Sequence, residues 1–180
     1  MASFFPEELT MRHPTAIDHP RVLAVMDTWW NDFGGATGSQ QRAGLVPRLF
    51  FQHFTDTSYL VEGHGRLVAF LIGFRSQSHP ETAYIHFIGV DPAARRTGIA
   101  AELYQQFFTQ ARARGANTVR CITSPANTTS IAFHTGMGFI LEPSDIMVDG
   151  VPVQCDYDGP GLDRVSFVRH LEPPQPRPRP

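Results

Sequence analysis

Cysteine is nearly absent from this chain: 180 residues hold two, Cys121 and Cys155. They lie far apart, with neither CxxC spacing nor the density of a disulfide scaffold, so both are expected to be reduced, in a cytoplasmic setting. A basic excess is missing too. The formal net charge of -2 argues against nucleic acid as a partner. The opening MASFFPEELT carries early acids in place of an apolar leader core, and no run approaches the roughly 20 apolar residues of a membrane span, so neither export nor a membrane partner is expected. Three chemical signatures are also lacking. There is no G-x-x-x-x-G-K-[ST], no G-x-G-x-x-G after a strand, and no H-E-x-x-H among the 8 histidines, which leaves out a P-loop, a dinucleotide fold and a metal centre of that type.

The length suits one domain, read as residues 1–172, followed by a disordered proline-rich tail, PPQPRPRP, over 173–180. From Asp18 to Asn31, Val22, Val25, Met26 and Trp29 recur at helical spacing, and FGGATGSQ then breaks the pattern. A second helix is expected over Gln40–Phe54, with Pro47 making its start uncertain. TSYLVE, LVAFLIGFRSQ and TAYIHFIGV read as three strands of an antiparallel meander. A helix follows in which Ile99, Leu103 and Phe107 repeat every four residues, and Gly115 stops it. NTVRCITS, NTTSIAFHTGM and GFILE read as strand, helix and strand, and DRVSFVRHL as an edge strand. The fold class is therefore α/β (α+β), a single mixed, mostly antiparallel sheet flanked by helices.

The stretch VDPAARRTGIAAELY, residues 90–104, poses a charge problem. A helix N-terminus is already positive, yet Arg95 and Arg96 stand there without a carboxylate in the first turn. Solvated loop arginines are one reading. The other is an anion site, with Thr97 able to cap the helix, Gly98 removing a side chain where free amides point outward, and Ala100 keeping the next turn small. Such a row of donors with two cations beside it suits a pyrophosphate.

Arg95-Arg96-Thr97-Gly98-Ile99-Ala100 resembles the Q/R-x-x-G-x-G/A acyl-CoA loop of the GCN5-related N-acetyltransferases (GNAT). NTTSIAFHTGMGF is similar to the N-x-x-A/S-x-x-F-Y-x-x-x-G-F helix of the same family, matching at Asn127, Ser130, Phe133, Gly138 and Phe139. The resemblance covers about Thr57 to Leu141 and leaves 143–160 unexplained. It implies acetyl-CoA as cosubstrate, with Ile88, Gly89 and Val90 pairing their backbone with the pantetheine arm and Arg96 to Ala101, Ala101 included, binding the pyrophosphate. Asn127 is placed at the pantetheine and Phe133 beside the cofactor, with ordinary core the alternative for Phe133.

Acyl transfer to an amine requires a base, a polarised carbonyl and an accommodated thiolate. Alternation puts Tyr84, His86 and Ile88 on one face of TAYIHFIGV, with His86 the candidate base and a hydrogen-bonded sheet histidine the alternative. The family's tyrosine falls at His134, which is read either as an imidazolium acid or as a space-filling residue. By the same analogy Trp29, Trp30 and Phe33, with Tyr84, wall the acceptor, although Trp29 also suits a core. The implied activity is N-acetylation of a small-molecule amine. An idle acyl-CoA-binding module is the alternative, and a homodimer is left open.

Overall fold

The structure, a computed structural model, describes residues 8–30 and 35–171, so the 173–180 tail and Phe33 lie outside the described residues. The strands are β1 (Leu9–Arg12), β2 (Tyr59–Gly63), β3 (Arg66–Arg75), β4 (Thr82–Val90), β5 (Thr118–Thr123), β6 (Ile140–Leu141), β7 (Met147–Val148), β8 (Val151–Pro152) and β9 (Val165–His170). The helices are α1 (His19–Trp29), α2 (Gly35–Leu45), α3 (Phe50–His53), α4 (Ile99–Ala113) and α5 (Thr128–Gly136). Seven strands form one sheet in the order β1-β2-β3-β4-β5-β9-β6, and β7 pairs with β8. The sheet is mixed: β4 and β5 run parallel, while β1–β2, β2–β3, β5–β9 and β6–β9 are antiparallel. By chain contacts the molecule divides into two compact units, Met1–Phe74 with Ile85–Gln110, and Arg75–Tyr84 with Ala111–Pro180.

In the first unit α1 buries Val22, Met26 and Trp29, the i, i+4, i+7 stripe of an amphipathic helix. These join Val46, Phe50, Phe51, Leu60, Leu67, Phe70 and Ile72 in one core, where each fully buried side chain contributes about 1.5–3 kcal/mol. Ahead of α1, Asp18 is buried and accepts hydrogen bonds from Arg12 at 2.7 Å and Arg21 at 3.0 Å, and both arginines also pair with Glu62. These contacts hold the Asp18 carboxyl well below the usual carboxylate range, the Arg12 hydrogen bond leading.

Gly89 sets a close approach in β4. A Cβ there would lie 2.5 Å from Phe70 Cε1 and 2.8 Å from Trp30 Cη2. The rings exploit that gap, with Phe70 stacked on Phe87 and on Trp29, and Trp30 edge-on to Phe87.

The single helix expected over Gln40–Phe54 is two helices. Pro47 has no N–H for a continuing ladder, so α2 ends at Leu45 and α3 begins at Phe50. α2 also reaches back into the expected glycine-rich break, starting at Gly35. In the second unit α4 closes in a Schellman motif: Gly115 at φ +88° donates to Arg112 O, and Ala116 to Ala111 O, both at 3.0 Å. Gly138 at φ +81° does the same for α5, donating to Thr135 O while Phe139 donates to His134 O. That use of Gly138 shortens the expected GFILE strand to Ile140–Leu141. β9 is no edge strand, since β5 pairs along its whole length and β6 on its other side. The unexplained 143–160 stretch holds the β7–β8 hairpin, turned by Asp149 and Gly150 at φ +51° and +79°.

Gly89→Ala should cost about 1–3 kcal/mol, because two packed rings must move for one methyl. Urea unfolding of the variant against the parent chain measures it.

Candidate active site

The ladder between β4 and β5 runs over Thr82–Tyr84, and β4 continues to Val90. Beyond it, Asp91 N–H donates to Val68 O of β3 at 2.8 Å. The Val90 carbonyl belongs to the same planar peptide and points the opposite way, to the edge away from β3. Two residues earlier, Ile88 shares that edge by the period of the strand, and Gly89 turns its backbone towards β3. Thr82 O also faces the β3 side, accepting from Ser76 N at 2.9 Å. An even and an odd residue of β4 thus address one side, so the alternation slips by one residue between them, a device that re-aims backbone groups.

Past Asp91, whose carboxylate accepts from Ala93 N at 2.9 Å, the chain makes a short turn and enters α4. Arg96 sits at φ +65°, a left-handed value unusual for a side-chain-bearing residue, and Gly98 at φ +91°. No atom lies within 4 Å of where a Gly98 Cβ would be. The first intrahelical bond is Glu102 N to Gly98 O at 3.0 Å, so the amides of Ile99, Ala100 and Ala101 head the helix with no acceptor inside it. Thr97 is not the cap expected of it, because its hydroxyl donates to Ala94 O at 2.7 Å. Arg95 also differs from expectation. Its guanidinium turns away from the α4 amides and donates to Trp29 O at 3.1 Å and Val90 O at 3.4 Å. It serves the negative end of α1, where Arg42 joins it by donating to Trp30 O at 3.1 Å. Arg96 is exposed at the head of α4, and the first turn, expected to lack a carboxylate, carries Glu102.

Trp29 is buried, stacked on Phe70 at 5.9 Å, and part of the core. Trp30 is half-buried, its ring 5.7 Å from that of Phe87. His86 is half-buried, with its ring stacked on Phe50 at 4.5 Å and 21° and its Nε2 hydrogen-bonded to Leu45 O. Sequence reasoning missed Leu45, Phe50 and Arg42. The Pro47 break that creates the α2 end was the available signal.

In the second unit Asn127 is the N-cap of α5, its side-chain oxygen accepting from Ser130 N at 3.1 Å. Phe133 is half-buried and edge-on to His134. His134 is 4% exposed, stacked on Phe167 at 4.8 Å with Phe139 edge-on, and its Nδ1 hydrogen-bonds Ser130 O at 2.7 Å. The carbonyl can only accept, so Nδ1 carries the proton. Burial pushes the imidazole below its ordinary pKa, with the Ser130 bond opposing. Burial therefore disfavours the imidazolium form, and the ring packs among Phe133, Phe139 and Phe167. Burial raises the Tyr84 phenol, which stays protonated at neutral pH. Among the described residues no group of three or more His, Cys, Asp or Glu could hold a metal ion, and no helix is long and apolar enough to cross a membrane.

A folded-state pKa below the unfolded 6.5 makes the His134 contribution to stability fully present above about pH 6.5 and lost as pH falls towards the folded value. His134→Phe keeps the stack and removes the titration. Its Tm should fall less steeply than the parent's as pH drops below about 6.5, measured by scanning calorimetry at stepped pH.

The model of the acetyltransferase (GNAT) family matches residues 22–139. The L-2,4-diaminobutyric acid acetyltransferase of Streptomyces coelicolor is 34% identical over 116 residues, 63% of this chain and 68% of that protein. That of Nocardia farcinica is 30% identical over 84 residues, 47% of this chain and 44% of that protein. The chain thus spans about half the length of some curated relatives it matches. Among solved structures, the diaminobutyrate acetyltransferase EctA from Paenibacillus lautus, in complex with L-2,4-diaminobutyric acid and coenzyme A, aligns over 91% of this chain and 95% of its own. Its TM-score is 0.66 at 22% identity, a likeness of fold.

Proposed function

Because the chain belongs to the acetyltransferase (GNAT) family, we propose that it is an N-acetyltransferase, taking acetyl from acetyl-CoA and passing it to an amine of a small molecule. The head of α4 carries the reading: amides without helical acceptors, open space at Gly98, and the exposed Arg96 beside them. That donor set fits a pyrophosphate, whose charge also complements the helix dipole by about 0.3–2 kcal/mol. In this proposal Arg96 to Ala101 hold the pyrophosphate, and Ile88 and the Val90 amide align the pantetheine arm through backbone groups on the β4 edge that faces away from β3. Gly89 contributes by letting the rings behind it close up. Bound there, acetyl-CoA supplies a thioester.

His86 takes a proton from the acceptor's ammonium, the amine so freed attacks the thioester carbon, and the Ile88 amide polarises the acyl oxygen. With His134 neutral and enclosed, the thiolate leaves without a proton from it. Trp30 lines the acceptor side. The names of the relatives make a small diamino acid, L-2,4-diaminobutyrate first, the acceptor to try, and a cytoplasmic setting supplies both substrates. All 15 cationic residues are arginine, so no lysine of the chain competes as acceptor.

Thiol release from acetyl-CoA should depend on added L-2,4-diaminobutyrate, and His86→Ala should lower kcat about 10²- to 10⁴-fold. Release that is absent with every member of an amine panel, while CoA binds, would overturn the reading in favour of a binding module.

A further inference from the structure

We propose that the last carbonyl of α2, at Leu45, determines which nitrogen of His86 works. It holds Nε2–H, making Nδ1 the atom that accepts the amine proton, and Phe50 is the positioning residue that keeps the ring in that plane. This rests on the reading of His86 as the base.

The argument starts at Pro47. The proline ends α2, and the last carbonyls of a helix have no intrahelical donor. Leu45 O is one of them, and His86 Nε2 meets it. A carbonyl oxygen only accepts, so Nε2 must carry the proton, and a neutral imidazole with its proton there has its lone pair on Nδ1. When Nδ1 takes a proton from the ammonium, the ring becomes imidazolium. The Nε2–H bond to Leu45 O is then charge-assisted and stronger. It also faces the negative end of an 11-residue helix, equivalent to roughly half an elementary charge. Histidine bases elsewhere obtain this service from a carboxylate that fixes the tautomer and stabilises the cation. Here a helix end supplies it. Phe50, 9% exposed and anchored in the core, lies nearly parallel to the imidazole at 4.5 Å, so the ring cannot swing off the carbonyl without lifting off that face.

The test is a long-range 1H–15N correlation spectrum of the imidazoles in the full chain at pH 8, without substrates, with His86 assigned by its loss in His86→Gln. The expected result is the Nε2–H tautomer for His86. An Nδ1–H tautomer, or an average of the two, would overturn the proposal. Phe50→Leu should lower kcat about ten- to a hundredfold and move His86 towards an averaged tautomer, with KM within about twofold. A folded Phe50→Leu chain with the parent's kcat and tautomer would remove Phe50 from the device. Parent-like turnover in His86→Gln would overturn the base reading, and with it the working role of Nδ1, whatever the spectrum shows.

Discussion

Nothing larger than a hydrogen atom fits on Gly89, and the arrangement of the first unit depends on that. The gap lets Phe70 and Trp30 close against β4, and Phe70 is sandwiched between Trp29 and Phe87. Those contacts fix where α1 ends. The end of α1 in turn offers its carbonyls to Arg95 and Arg42, and Arg95 belongs to the turn that heads α4. A packing constraint inside a strand is thereby passed to the backbone amides that the proposed cofactor would use.

Charge is distributed by the same logic. Two helix ends in the first unit are compensated by groups far off in sequence: α1 by Arg95 and Arg42, α2 by His86. The positive head of α4 keeps Arg96 in a left-handed conformation beside its free amides. Such a residue costs about 1–3 kcal/mol of backbone strain, which is coherent if an anion is part of the finished site.

Much of the fold was legible because its signals are local. TAYIHFIGV coincides with β4, and the helix read from Ile99 to Gly115 differs from α4 by its terminal cap alone. The split of α2 from α3 was visible as a proline whose consequence was underestimated. β9 was misplaced as an edge because alternation reports which faces a strand buries and carries no information about how many strands flank it. The β7–β8 hairpin has a local signal too, the Asp149-Gly150 pair at its turn. In the site, Gly98 and the amides of α4 followed from the motif. The direction of the Arg95 side chain did not, since the motif records residue types, while Trp29 O, which captures that guanidinium, is 66 residues away. For His134, a spacing that suggested chemistry marks a ring enclosed by Phe133, Phe139 and Phe167.

The amides heading α4 are proposed to hold a phosphate of the acyl donor. Calorimetric titration of the chain with 4′-phosphopantetheine and with pantetheine isolates that phosphate. Pantetheine should bind at least about tenfold more weakly, the loss of one charge-assisted donor set. Equal affinities would contradict it.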